Sequence, residues 1–215
     1  MTHTPAAKLL ADSVIARTYG RNTFGNQIED WNAICDRVVP SIIKEGKLNP
    51  EEALLVDQYA RSKKATPAGR VLWVGGTKWA EKPENYPGQY NCNSGTINSW
   101  EDFKHNFDFL MQGTGSASVS TLEEVSHLPA IKNRIELTVF DSFGYVSKED
   151  RRENTATSIY FNEETGAYNM YIVVGDSRQG WAVSLQRLLE ATSDYRDIRS
   201  VFLDCTNVRK QGEKI

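Results

Sequence analysis

The stretch from Tyr168 to Asp204 restricts the fold more than any other part of the chain. Tyr168-Asn-Met-Tyr-Ile-Val-Val174 and Ser200-Val-Phe-Leu-Asp204 are runs of strand-type residues. Between them, Gly175-Asp176-Ser177 opens a helical pattern through Trp181, Leu185, Leu188 and Leu189. Strand, helix and strand in succession point to an α/β fold. A further strand is expected at Ile135-Glu-Leu-Thr-Val-Phe140, separated from Tyr168 by a charged, loop-like insertion that includes Ser147-Lys-Glu-Asp-Arg-Arg-Glu153.

The first part of the chain has a helical period instead. Leu9, Leu10, Val14 and Ile15 are followed by Trp31, Ile34, Val38, Val39 and Ile42, with a break over Tyr19-Gly-Arg-Asn-Thr-Phe-Gly-Asn26. A third helix is expected after Asn49-Pro50-Glu51-Glu52, with Asn49 as cap, Pro50 in the first turn, and Leu54, Leu55 and Tyr59 on one face. Val71-Leu-Trp-Val74 reads as a short buried strand, with Trp73 and, farther on, Trp181 in the core. Lys78 to Gly95 shows neither period. Ser99-Trp-Glu-Asp102 is a capping box that starts a helix running to Gly113. At the other end, Phe202 to Ile215 leads out of a strand with no further element, so the chain is expected to stop within a domain. Exposed strand edges at Val71–Val74 and Val201–Asp204 would then make the isolated chain marginally stable.

Composition narrows the function. With 215 residues, 40% hydrophobic and 25% charged, the chain suits one or two modest soluble domains. It has no run of membrane-spanning length and no secretion signal at Met1, so a cytoplasmic location is expected. A net charge of −3 with interspersed signs disfavours polynucleotide binding and leaves nucleotides possible as small ligands. Cys35, Cys92 and Cys205 fall in no CxxC or Cys/His cluster, and His3, His105 and His127 are scattered, which leaves no local metal site and suits a reduced compartment. From the residues alone, Cys92 reads as a buried, inert thiol and Gly113-Thr-Gly-Ser116 as a helix C-cap followed by a turn, or as a loop able to bring N–H groups close to a substrate. In Asp176-Ser177-Arg178 the first two residues can cap a helix, and the arginine can meet a phosphate or a carboxylate.

Four stretches, in order, resemble the adenosylcobalamin-dependent (class II) ribonucleotide reductases, in particular the monomeric ribonucleoside-triphosphate reductases. They are Ala16-Arg-Thr-Tyr19 with Trp31 and Arg37-Val-Val39; Ala65-Thr-Pro-Ala-Gly-Arg-Val-Leu-Trp-Val-Gly-Gly-Thr77; Asn91-Cys92 with Leu110-Met-Gln-Gly-Thr-Gly115; and Gly175-Asp-Ser-Arg-Gln-Gly-Trp181. Gln179 stands where the family has an acidic residue and Ala117 where it often has glycine. The glycine loop is one residue shorter, and the segment after Cys92 is compact.

The resemblance implies a helical region over residues 1–65, then over 66–215 the first part of a ten-stranded α/β barrel with an effector-type insertion around 135–174. It implies thiyl-radical reduction of ribonucleoside triphosphates, or of diphosphates in the dimeric branch, with adenosylcobalamin as cofactor, deoxynucleotides as effectors and a thioredoxin-type protein as reductant. Cys92 would be one half of the redox-active pair, and Asn91, Gly113 and Gly115 would lie at the substrate. Asp176, Ser177 and Arg178 would be effector-related or structural. Cys35 and Cys205 match no family motif and are expected to pack. The partner cysteine and the thiyl cysteine would lie in the C-terminal remainder of the reductase, so this chain alone would be inactive. The alternative is a non-catalytic, effector-binding or split-subunit partner that needs a second chain.

Overall fold

A computed structural model describes residues 4–22 and 27–213; His3 and the 23–26 part of the expected break lie outside the described residues. The chain forms two compact units, Met1–Cys92 with Gln112–Thr114, and Asn93–Met111 with Gly115–Ile215.

The first unit is helical. Helix α1 (Pro5–Val14) is capped by Thr4 and runs into a π-helical turn over Ile15–Tyr19. Helix α2 (Trp31–Gly46) starts where the Asp30 carboxylate accepts the Ala33 N–H at 2.9 Å and ends at Lys47, whose φ of 50° is left-handed. Helix α3 (Pro50–Arg61) begins with the expected cap, elaborated into a full capping box between Asn49 and Glu52. The spacing of Ile34, Cys35, Val38 and Val39 on α2 gives that helix two buried seams. One packs Ile34 and Val38 with Leu72, the other Cys35 and Val39 with Ala60 of α3. Helix α3 docks through Val56 and Ala60, while Leu54, Leu55 and Tyr59 are exposed.

Val71–Val74 is not a strand. It is the end of helix α4 (Gly69–Val74), with Leu72 and Val74 buried. A four-residue apolar run does not distinguish strand from buried helix by period. Here backbone bonds close the helix, Leu72 N–H to Ala68 O at 3.1 Å and Gly75 N–H to Val71 O at 2.8 Å, while Arg37 on α2 donates to Leu72 O at 3.2 Å and Gly75 O at 2.6 Å at its end. Trp73 is 42% exposed rather than core, its ring covered by the guanidinium groups of Arg21 and Arg70.

The same Arg37 pairs with Glu29 at 2.8 Å, both side chains being largely buried. Burial pushes the Glu29 carboxyl up, but hydrogen bonds from Arg37 and the Arg21 N–H, together with both positive charges, outweigh it and leave the group below its ordinary value. A carboxylate lowered in the folded state adds stability that is present above its unfolded pKa, about 4.3, and is lost as pH falls through the folded value. Denaturant unfolding between pH 6 and 2.5 is therefore expected to show a shallower acid loss in Glu29→Gln than in the parent. An unchanged slope would contradict this.

In the second unit, strand β1 (Cys92–Thr96), which starts at the unit boundary, and strand β2 (Gly115–Val119) form a two-stranded sheet. Helix α5 (Trp100–Met111) lies between them in sequence. Its expected capping box is present: the Asp102 carboxylate accepts the Ser99 N–H at 2.8 Å, and the Asp102 N–H points back to Ser99 Oγ at 3.3 Å. After the short helix α6 (Leu122–Ser126), a four-stranded sheet is ordered β3-β6-β5-β4, from β3 (Glu136–Phe140), β4 (Ala156–Asn162), β5 (Ala167–Val173) and β6 (Ile198–Asp204). Strand β6 runs parallel to both neighbours, and β4 is antiparallel to β5. Helix α7 (Arg178–Ser193) packs Leu188 and Ala191 against Met170, Ile172, Ile198 and Val201. Trp181 is half-buried against Val174, Cys205 and Val208.

Two further expectations change. The charged insertion holds a strand, β4, joined to β5 by a turn in which Asn162 Oδ1 accepts the Glu164 N–H at 2.9 Å and Gly166 takes a φ of 64°. The segment after β6 does not leave the fold: Cys205 and Val208 are buried, and Asn207 Nδ2 donates to Arg152 O and Val174 O. Strand β6 is central, so it offers no open edge, and with Val71–Val74 helical the stated basis for marginal stability is removed. The described residues form a mixed α/β structure with two separate sheets and no closed barrel. Among them, no helix is long and apolar enough to cross a membrane.

Candidate functional site

Cys92 is reached through a rigid stretch of the first unit. Pro83–Gln89 forms a 3-10 helix held by Asn85, whose Nδ2 donates to Trp79 O at 2.9 Å. Gly88 lies against the Trp79 ring, where a Cβ would come within 2.3 Å. The chain then passes Tyr90 and Asn91 to Cys92. Buried Thr114 braces this passage, its hydroxyl lying 3.0 Å from Pro87 O and 3.4 Å from Tyr90 O. Gly113, the residue before it, takes a φ of 77°, and Arg70 Nη2 donates to its carbonyl. The glycine stretch is thus a turn at Gln112-Gly113, and Gly115–Val119 is a strand rather than a loop.

The Cys92 thiol is free and exposed, which overturns the reading of a buried, inert cysteine. Cys35 and Cys205 are buried, and burial raises the pKa of both thiols, which disfavours the reactive thiolate. Asn91 lines a cleft of about 460 Å³ with residues of α2, α4 and the 3-10 helix. Sequence reasoning misses Arg70, which holds the Gly113 carbonyl, and Thr114, which holds Pro87 and Tyr90. Arg70 carried a signal within the Gly69-Arg70 pair, whereas nothing local marks Thr114.

The Asp176-Ser177-Arg178 group belongs to the second unit and is engaged within it. Ser177 caps α7, its Oγ accepting the Gly180 N–H at 2.9 Å and donating to Glu153 O at 2.7 Å. Asp176 accepts Arg209 Nε at 2.9 Å, and Arg178 Nε meets Asp108 Oδ1 at 2.6 Å. Arg151 pairs with Glu213 at 2.6 Å beside Asp176, and these groups surround a hollow of about 190 Å³ that Lys148 and Arg152 also line. The glycines of Gly175-Asp-Ser-Arg-Gln-Gly-Trp181 permit close backbone approach: a Cβ on Gly175 would lie 2.2 Å from Glu153 O, and one on Gly180 2.5 Å from Gly175 O. Ser177→Ala is expected to cost about 1 kcal/mol of stability through loss of the cap. Thermal unfolding measures this, and a value near zero would show the cap to be replaceable.

Among curated proteins, one from Lactobacillus gasseri aligns with 93% of this chain at 25% identity and is named adenosylcobalamin-dependent ribonucleoside-triphosphate reductase. The chain is similar to these reductases. A Lacticaseibacillus paracasei reductase of the same name matches at 24% identity over 93% of the chain. A Mycobacterium phage D29 protein, given that reductase name provisionally, matches at 27% identity over 94%. The chain spans about a third of the length of these reductases, 32%, 32% and 29% in turn. The L. gasseri alignment runs over 239 positions, more than the 215 residues here, so that reductase carries extra residues within the matched region. No protein-family model matches the chain. No solved structure matches it either.

Proposed function

We propose that this chain is the N-terminal part of an adenosylcobalamin-dependent ribonucleoside-triphosphate reductase and contributes Cys92 as one half of its redox-active thiol pair. The similarity over nearly the whole chain carries this reading. The exposed, free Cys92 at the start of β1 supports it, since a thiol that must meet both a second thiol and a reductant has to be accessible.

In the proposed reaction the 2′ hydroxyl of the ribonucleotide leaves as water. Two thiols supply two electrons and two protons and close to a disulfide, which a thioredoxin-type dithiol reopens by exchange. Adenosylcobalamin, held outside this chain, would supply the radical chemistry. The clefts described in this chain do not fit that group: those of about 460 and 190 Å³ above match small ligands or less, and a corrin with its adenosyl and nucleotide arms needs more room. We therefore assign the cofactor's site to the C-terminal remainder, and with it the second redox cysteine and the thiyl cysteine, since Cys35 and Cys205 are buried.

Within this chain, Arg70 and Thr114 position the Gly113 turn and the Asn91-Cys92 segment, and Asn91, Gly113 and Gly115 would line the substrate. The Asp176 network would act structurally, with the hollow beside it as the candidate effector contact. Co-expression with the complementary reductase segment tests the reading through cobalamin-dependent reduction of the four ribonucleoside triphosphates in the presence of a dithiol. Deoxynucleotide formation is the expected result. Its absence with a soluble, assembled pair would overturn the proposal.

A further inference from the structure

Helix α3 carries an apolar row that its contact with α2 does not use. Val56 and Ala60 pack against Cys35 and Val39, whereas Leu55 and Tyr59, four positions apart on one face, are 51% and 46% exposed. With Val56, Ile42 of α2, and Ala65 and Pro67 of the following segment, they line a groove of about 360 Å³. Among the described residues, no charged side chain lines it. The charges stand at the ends: Glu51 and Glu52 are exposed in the first turn of α3, and Lys63 and Lys64 are exposed just past its last turn. This layout is self-complementary. A second α3 laid antiparallel, in the register that sets Leu55 of one copy against Tyr59 of the other, also sets Glu51 of each against Lys63 of the other. A parallel arrangement would bring like charges together. Asp57, at the middle of the helix, is paired with Arg61 and adds no unpaired charge there.

We propose that two copies of this chain associate through α3, each placing Leu55 and Tyr59 in the groove of the other. Apolar burial at the centre supplies the attraction, and the two acid–base ends fix the antiparallel register. The inference is independent of the reductase reading, because none of these residues belongs to the Cys92 segment or to the Asp176 network. One helix pair buries less than the roughly 1,200–2,000 Å² of a stable interface, so the dimer is transient, with a dissociation constant in the micromolar range or weaker.

Sedimentation velocity of the full chain over a concentration series tests it, with circular dichroism and thermal unfolding confirming the fold of each variant. The chain is expected to pass reversibly from monomer to dimer. Leu55→Glu, at a half-exposed position, should weaken dimerisation about tenfold or more. Glu51→Lys should weaken it about threefold at low salt, the scale of two exposed ion pairs turned repulsive. The double variant Glu51→Lys/Lys63→Glu should restore it, a rescue that a merely apolar patch would not show. A chain that stays monomeric throughout, a dimer that folded Leu55→Glu leaves intact, or no rescue by the charge exchange would each overturn the proposal. A monomeric chain in which Leu55→Glu impairs only binding to the complementary reductase segment would overturn it likewise and give the groove to that segment.

Discussion

Cys92→Ser is expected to reduce multiple-turnover deoxynucleotide formation by the reconstituted reductase to background, while Cys35→Ser and Cys205→Ser keep it. A serine hydroxyl cannot form or exchange a disulfide, so loss of either half of a redox pair stops regeneration. The three cysteines of this chain separate cleanly on physical grounds. Cys92 is exposed, whereas Cys35 packs with Val39 and Ala60, and Cys205 with Val174 and Val208. Burial raises the pKa of both interior thiols, so neither is suited to exchange. Their serine variants place a hydroxyl in an apolar setting, with a stability cost of about 1–3 kcal/mol and no effect on turnover per folded molecule. Activity normalised to folded protein measures the difference. Retention of dithiol-driven turnover in Cys92→Ser would remove Cys92 from the redox pair.

Gly175→Ala is expected to destabilise the second unit by about 3 kcal/mol, the upper end for overpacking. The reason is backbone against backbone. The added Cβ would lie 2.2 Å from Glu153 O and 2.7 Å from Asn154 C, atoms that cannot swing aside as a side-chain tip can. The same contact brings Glu153 O within 2.7 Å of Ser177 Oγ and so holds the start of α7. For a chain of this size, about 3 kcal/mol corresponds to a fall in Tm of roughly 6–12 °C. Gly95→Ala is the control, because nothing lies within 4 Å of its added Cβ, and its effect should stay within about 0.5 kcal/mol. Equal melting of the two variants would contradict this account of the glycines.

What could be read in advance follows from how local each cause is. The starts of α3, α5 and α7 are legible because Asn49, Ser99 with Asp102, and Ser177 each meet backbone N–H groups within one turn. Strands β3, β5 and β6 are legible from runs of β-branched and aromatic residues. Val71–Val74 is not, because a four-residue apolar run carries no period, and the contacts at its carbonyls, Arg37 to Leu72 O and Arg21 to Trp73 O, come from residues far away in sequence. Strand β4 is hidden since its neighbours Arg151 to Asn154 are charged or polar, and its pairing with β5 decides its conformation. Trp73 is outside the core because two guanidinium groups cover it, a tertiary arrangement that composition does not reveal.

At the candidate site, the residue types were readable and their settings were not. Cys92 was singled out through its flanking stretches, yet its exposure is a property of the folded chain. Thr114 gives no local sign that its hydroxyl braces Pro87 and Tyr90, because the contact spans residues far apart in sequence. Asp176, Ser177 and Arg178 are each engaged by named partners, Arg209, the Gly180 N–H and Asp108, of which only the Gly180 N–H lies within the Gly-Asp-Ser-Arg-Gln-Gly-Trp stretch.

The most direct measurement is the fate of the Cys92 thiol during a single turnover. The chain, assembled with the complementary reductase segment, adenosylcobalamin and one ribonucleoside triphosphate, is allowed to react without external reductant, then alkylated and mapped by mass spectrometry. The account expects Cys92 in a disulfide with a cysteine of the complementary segment, in an amount equal to the deoxynucleotide formed, with Cys35 and Cys205 still as thiols. Deoxynucleotide formed while Cys92 remains fully alkylatable would contradict it.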